Sequence, residues 1–342
     1  MSSRTHSMNT MKAAFLLAPR KIEVQDTPVP QVDGDQVLIE PIRAGICGSD
    51  VSLFSGHRTP SAYPLLLGHE SVGYIRAVGD SVTQLSVGQR VIVEPNFPCG
   101  VCAYCRSGRG NICPNKKSLG VTISGSFAEQ FVAPAEFVWP VPETISNEDA
   151  VTIEPLAVSL HALWQSRAQI GDTVAVLGCG ATGLLLIQAA VSQGMRVFAH
   201  DKLQSKLEIA NQLGAQIDPG ADVPDLWREA GVTTVFECAG AASTVELALS
   251  AVPRGGQVVL LGLSTVQASF VPLKLVREEI RVSGSIIYDH PADFARTIAL
   301  VEQKRLSPGR IVTNTFPFAQ IEQALQLAVT GEAGKVLLTM RS

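Results

Sequence analysis

Residues 173–201 constrain this chain more than any other stretch. Thr173-Val-Ala-Val-Leu177 is a β-branched run, and Gly178-Cys-Gly180-Ala-Thr-Gly183 is a glycine-spaced turn. An apolar segment of helix length then runs through Gln193, and Met195-Arg-Val-Phe-Ala-His-Asp201 reads as a second strand. Strand, turn, helix and strand make one βαβ unit. Gly178 permits the tight turn, Gly180 lets backbone approach a pyrophosphate, and Gly183 lets helix and strand pack closely. Ala181 and Thr182 open the helix, so the free N–H groups there face the negative charge. Asp201 closes the second strand where a carboxylate can accept from both hydroxyls of an adenosine ribose. The same carboxylate repels a 2′-phosphate, so the pattern favours NAD over NADP.

A fold of this kind needs a large core, and the composition supplies it. The chain has 342 residues, 46% hydrophobic and 17% charged, which predicts a soluble protein of more than one domain. Its net charge of −4, without a basic tract, removes the electrostatic case for nucleic acid or an anionic membrane. No apolar run reaches the ~18 residues that span a bilayer, and residues 1–9 read as a polar extension rather than a signal region. A cytoplasmic address is the expectation.

Four of the seven cysteines, Cys99, Cys102, Cys105 and Cys113, share one loop between Pro98 and Pro114. Spaced by two, two and seven residues, four thiolates can close a tetrahedron around a divalent ion, with Gly100, Gly108 and Gly110 allowing sharp bends. Disulfides compete poorly, because a reducing cytosol disfavours them and neighbours so close would form strained rings. The loop is therefore expected to hold a structural zinc. With every ligand supplied by protein, it should stabilise and not react.

From the start of the chain, residues 11–17, 22–26 and 36–46 read as strands, followed by 68–78, 90–93, 125–132 and 137–140. This part is all-β and rich in Gly and Pro. After residue 173 strands near 216–218, 234–238, 257–261 and 280–285 alternate with helical stretches 206–213, 225–230 and 243–251. That is about six strands of a doubly wound parallel sheet. The segments 292–303, 310–316, 318–329 and 335–340 do not extend it cleanly, so the chain is expected to return to its first part.

A second set of residues lies in the β-rich part. Cys47 stands in Gly45-Ile-Cys47-Gly-Ser49-Asp50, His69 and Glu70 in Leu67-Gly-His69-Glu70, and Glu154 in Ile153-Glu154-Pro155. A thiolate, an imidazole and one carboxylate can hold zinc while leaving a fourth position for water or substrate. Each has a plain alternative: a small packing cysteine, a hydrogen-bonded His–Glu pair, and an acid at a helix start near Pro155.

Taken together, Gly45–Asp50, Gly68-His69-Glu70 with Gly73, the four-cysteine loop, Glu154-Pro155 and the Gly178–Gly183 turn with Asp201 resemble the medium-chain zinc-dependent dehydrogenases. The resemblance runs from Met11 to the C-terminal residues, with the motifs in the family's order, and is closest to the sorbitol, polyol and threonine dehydrogenase branch. It implies an α/β protein: a GroES-like β-rich catalytic domain over 1–155, a Rossmann NAD-binding domain over 156–290, and a return to the catalytic domain over 291–342. It further implies two zinc ions per chain and NAD as cofactors, with the active site in the cleft between domains. By position, Cys47 and His69 would be catalytic-zinc ligands. Glu154 stands where the alcohol-dehydrogenase branch has a cysteine, whereas in the sorbitol branch the Glu after the histidine, here Glu70, binds directly and the later one acts through water. Both carboxylates remain candidates, and the two can exchange.

Ser49 resembles the family hydroxyl that hydrogen-bonds the reacting oxygen and starts a proton relay, its alternative being a turn residue. The outer relay histidine of several relatives is Ser52 here, and the loop residue His57 is a weak substitute. The Arg-Tyr pair of sorbitol dehydrogenases becomes Ile287-Tyr288, which loosens a strict polyol assignment. Cys179 and Cys238 read as packing residues, while His161 and His290 show no partner in sequence. The expected activity is hydride transfer between NAD and a secondary alcohol of a small polar molecule: a polyol, sugar or sugar acid first, then threonine or a simple alcohol. A nucleotide-binding sensor or structural protein without chemistry is the alternative of another class. A homodimer or homotetramer is expected by analogy.

Overall fold

The alternation of strand and helix after residue 170 forms one parallel sheet. The computed structural model describes residues 9–60, 62–217 and 223–341. Its six parallel strands lie in the order Gln216–Ile217, Arg196–His200, Thr173–Leu177, Val232–Glu237, Gln257–Leu260 and Arg281–Gly284. This is the doubly wound order, and its direction reverses between Thr173–Leu177 and Val232–Glu237, where ligands bind such sheets. Val174, Val176 and Leu177 are fully buried, as a strand covered on both faces requires. Asp218, the end of the expected third strand, and the polar stretch 1–8 lie outside the described residues.

The β-rich part centres on a seven-stranded sheet. Its middle strand, Gln36–Gly45, is flanked by Glu70–Val78 on one side and by Phe131–Pro134 and Lys335–Thr339 on the other, all antiparallel to it. Lys335–Thr339 also pairs in parallel with Val312–Pro317. The last strands of the chain are thus hydrogen-bonded into the sheet that the early residues began. A smaller sheet joins Thr10–Ala18 with Lys21–Pro28 and Leu65–Leu66.

Helix Ile153–Gln165 connects the two parts. It packs against helix Ala181–Ser192 of the parallel sheet and against Ala292–Glu302 of the returning chain. Leu156, Leu160 and Leu163 pack in one apolar core with Leu184, Ile187 and Phe294. Each such buried side chain stabilises by about 1.5–3 kcal/mol relative to exposure. Ser159 Oγ donates to the Thr182 carbonyl at 2.9 Å, a direct tie between the two helices.

Three local features differ from the sequence reading. Residues 48–54, given no element in the sequence reading, form helix Gly48–Phe54, because the Asp50 carboxylate returns to the Cys47 backbone N–H and closes its start. The expected strand over 125–132 is regular only at Phe131–Pro134, since the N–H groups of Gly125, Ser126 and Phe127 bond to the 66–68 segment instead. Pro272–Arg277 is a short helix that the sequence pattern did not reveal.

Candidate active site

Helix Gly48–Phe54 fixes the first corner of the site. Asp50, fully buried, accepts from the Cys47 N–H at 2.9 Å and from the Gly68 N–H at 3.2 Å, and lies 3.7 Å from His69 Nδ1. One carboxylate therefore ties the cysteine segment to the histidine segment. Sequence reasoning quoted Asp50 inside a motif without giving it a task. The adjacent Cys47 was the signal, since metal-ligating histidines commonly lean on a carboxylate. Ser49 Oγ sits 3.4 Å from His69 Nε2.

Glu70 opens the next strand, fully buried, with Oε2 paired to the Lys335 ammonium and Oε1 without a partner. One ligand atom each from Cys47, His69 and Glu70 lie within 4.8 Å of one another. His69 Nδ1 is also a buried atom without a hydrogen-bond partner. Burial alone would depress the imidazole, yet Asp50 and Cys47 outweigh it and hold the His69 pKa well above its ordinary value. Sulfur, imidazole nitrogen and carboxylate oxygen converge there, with Glu70 Oε1 and His69 Nδ1 buried and without hydrogen-bond partners, so the donor set fits a divalent cation.

Glu154 is in different company. It accepts from the Tyr288 hydroxyl at 3.1 Å, and burial, with Glu70 adding to it, pushes its pKa up to about 7 against the lowering effect of His69. It is not among the groups that converge with Cys47, which are His69 and Glu70. Tyr288 is itself buried, and its preceding residue Ile287 has φ of +44°, a costly backbone for a β-branched side chain. The tyrosine that remains of the Arg-Tyr pair thus donates to a carboxylate.

The two histidines without a visible partner in sequence both find one. His161 Nδ1 lies 2.6 Å from Asp293, between two helices. His290 Nδ1 lies 2.8 Å from Glu94, a buried acid that also accepts from Trp139 Nε1 at 3.0 Å. His57 is exposed on the turn after helix Gly48–Phe54.

The nucleotide turn has the geometry its glycines predict. Gly178 has φ of +90°, and a Cβ there would meet the Ala239 backbone N at 2.6 Å. A Cβ on Gly183 would collide with the Gly178 carbonyl. Gly180 caps helix Ala181–Ser192, which begins at Ala181 and Thr182. Asp201 accepts from the Cys179 N–H at 2.7 Å through one oxygen and from the Leu203 N–H at 2.9 Å through the other. It braces the turn, and each oxygen keeps a second lone pair for a ribose hydroxyl. Cys179 is fully buried behind the turn. Glu154 and Ser159 stand five residues apart on one helix, so the contact with Thr182 lies about 7.5 Å along the axis from the carboxylate.

In the four-cysteine loop, Sγ–Sγ distances of 3.4 Å for Cys102–Cys105, 3.8 Å for Cys102–Cys113 and 4.0 Å for Cys99–Cys105 bracket the tetrahedral edge of about 3.8 Å set by zinc–sulfur bonds. All four cysteines are free thiols. The backbone N–H groups of Val101 and Cys102 lower the Cys99 pKa to about 6, whereas burial and its neighbours raise Cys105 to about 12.

Comparison with known proteins agrees with this geometry. Residues 33–143 match the family described as alcohol dehydrogenase GroES-like domain, and residues 181–303 the family described as zinc-binding dehydrogenase. The chain is 32% identical to the sorbitol dehydrogenase of Bacillus subtilis (strain 168) over 341 residues, covering 95% of this chain and 96% of that protein. A zinc-binding dehydrogenase from Sinorhizobium meliloti 1021, bound to NADP, superposes with a TM-score of 0.90 at 31% identity, covering 97% of this chain and 99% of that one. Galactitol-1-phosphate dehydrogenase from Escherichia coli superposes with a TM-score of 0.89 at 30% identity, over 96% and 100% of the two chains. Matched in both halves and over almost its full length, the chain belongs to the zinc-dependent medium-chain dehydrogenases, oxidoreductases of CH–OH groups that use zinc and a nicotinamide dinucleotide.

Proposed function

We propose that this chain oxidises a secondary alcohol of a small polyol, sugar or sugar acid, with NAD as hydride acceptor. The observation that carries the reading is the convergence of Cys47, His69 and Glu70 beside Ser49, with helix Ile153–Gln165 bringing Glu154 into their electrostatic reach at one end and bonding the nucleotide turn at Thr182. Cys47, His69 and Glu70 hold the catalytic zinc, and Cys99, Cys102, Cys105 and Cys113 hold the structural one. When bound, zinc favours the ionised form of the substrate hydroxyl and the nicotinamide takes the hydride. Ser49 accepts the hydroxyl proton and passes it outward, its place next to His69 setting it against the reacting oxygen. Tyr288 keeps Glu154 turned aside, within reach of the site through a water but off the ion. Asp50 holds His69 in its ligand orientation.

Relatives named for sorbitol and for galactitol 1-phosphate support a polyhydroxylated substrate. Ile287 in place of an arginine argues for a polyol binding mode of its own. Asp201 supports NAD, because its carboxylate repels a 2′-phosphate.

Two copies pair through strand Arg281–Gly284. That strand is the edge of the parallel sheet and is exposed throughout, and Leu263, Val266, Phe270, Leu273 and Val276 are exposed on the adjoining segment. Reduced cysteines needed by the four-thiol loop fit a cytoplasmic address, and among the described residues no helix is long and apolar enough to cross a membrane.

The test is a panel of polyols, sugar acids, threonine and simple secondary alcohols followed by NADH absorbance, with NADP alongside and zinc counted per chain. Two zinc ions and reduction of NAD by polyhydroxylated substrates are expected. One zinc ion, or no reduction with any alcohol at full zinc, rejects the reading and favours a sensor.

A further inference from the structure

The reaction just described makes no use of Lys335, yet Lys335 is a cation built into the candidate metal site. Its side chain is 2% exposed and its Nζ pairs with Glu70 Oε2, while Glu70 is fully buried. A buried lysine is costly unless the fold needs its charge at that place. The register shows how it gets there. Gly45 lies opposite Glu70 on one neighbouring strand and opposite Leu337 on the other, and Lys335 is two residues before Leu337, on the same face. Glu70 and Lys335 therefore reach toward each other across the middle strand, over a residue without a side chain. A Cβ at Gly45 would collide with Glu70 Oε2 and come within 3.0 Å of Lys335 Cε. Lysine, glycine and glutamate form one device spread over three strands.

We propose that Lys335 is a positioning residue of the metal centre: its ammonium keeps one oxygen of Glu70, so that the carboxylate offers the metal a single oxygen and the fourth position stays open for substrate. The proposal rests on the reading of Glu70 as a zinc ligand. The geometry separates the two oxygens, because Oε2 faces Lys335 and Oε1 is buried without any partner. A carboxylate freed from the lysine can turn both oxygens to a divalent ion and fill the position that chemistry requires. The lysine also places a positive charge beside the ion and weakens its binding, a cost that catalysis justifies only if an exchangeable position is the gain.

The test compares wild type, Lys335→Met, Lys335→Arg and Glu70→Gln, each as the full chain loaded with two metals. Zinc affinity at the second site is read by chelator competition, with zinc retained by the four-cysteine loop as the internal sign of folding. Coordination is read from the visible absorption of cobalt placed in the second site, with and without an added secondary alcohol. For Lys335→Met the expected results are zinc bound at least tenfold tighter, a cobalt spectrum that no longer responds to alcohol, and kcat lowered at least tenfold. Lys335→Arg, which keeps the charge, should restore all three. A merely structural ion pair would instead lower the melting temperature of Lys335→Met and leave zinc affinity and the cobalt spectrum of the folded protein unchanged, overturning the proposal. Weaker zinc binding in Lys335→Met overturns it too. Should Lys335→Met not fold, as judged by loss of the loop zinc, Lys335→Gln takes its place with the same expected outcomes. Glu70→Gln separates the two levels: wild-type zinc affinity in that variant rejects Glu70 as a ligand, whereas weakened zinc there with an unaltered Lys335→Met rejects only the role of Lys335.

Discussion

Two buried carboxylates, Glu70 and Glu154, share one pocket and differ by their partners. Glu70 meets a lysine and has a bare oxygen, while Glu154 is held by a phenol. Replacing Glu154 by Gln should leave both zinc ions in place and lower kcat by about 10–100-fold, the range for groups that support a metal site from its second layer. Zinc counting and steady-state rates on the same sample check this. Replacing Asp201 by Asn should cut kcat/KM for NAD by about tenfold, roughly one charged hydrogen bond, and raise it for NADP. A ratio of the two constants is the measurement. At this scale the candidate site was legible wherever its groups lie in a short string, as at His69-Glu70, which converge with Cys47, and at the Gly178–Gly183 turn. Asp50 and Lys335 were not legible, because a charged residue one turn into a helix or at the mouth of a strand looks like a solvated one until the fold buries it. Tyr288 was found, but a linear pattern cannot show whether its hydroxyl faces substrate or Glu154.

Among the elements, the segment after strand Arg281–Gly284 carries a pH signature. Burial alone would lower the His290 pKa, yet its bond to Glu94 and the charges of Glu94 and Glu136 hold it above the ordinary value. The folded protein therefore grips that proton more tightly than the unfolded chain. The stability it contributes is complete below pH about 6.5 and is lost as pH rises through the raised value. Thermal denaturation of His290→Gln should accordingly show a shallower fall in Tm above pH about 6.5 than wild type shows. The four-cysteine loop, in which Cys113 is buried and the other three are half-buried, has little core of its own and should depend on its ion. Selective removal of that zinc should lower Tm by several degrees, since closure of such a loop is itself folding free energy. Calorimetry before and after chelation tests it. The six parallel strands were readable from β-branched runs punctuated by glycine. Helix Gly48–Phe54 was hidden by Gly48 and Ser49, and the 125–130 segment by backbone bonds to residues distant in the chain.

For the molecule as a whole, the exposed edge of the parallel sheet sets the assembly prediction. Changing Val282, 45% exposed in the edge strand, to Glu would place like charges across the proposed two-fold contact and should convert the proposed dimer to monomers in light scattering. Nucleotide binding by the separated chain should survive, because the Gly178 turn lies on the central strand of that sheet. The seven-stranded sheet has another consequence, one of timing. Strand Lys335–Thr339 sits between Gln36–Gly45 and Val312–Pro317, so the sheet that frames Cys47 and Glu70 stays split until that strand has been made. At roughly 5–20 residues per second, a ribosome needs about 15–60 s to travel from Cys47 to Lys335. For that interval the thiol waits on an unfinished scaffold, without the ammonium that is to stand beside its neighbour. Full reactivity is therefore expected only after those last five residues dock, and a chain stalled before them should lack it.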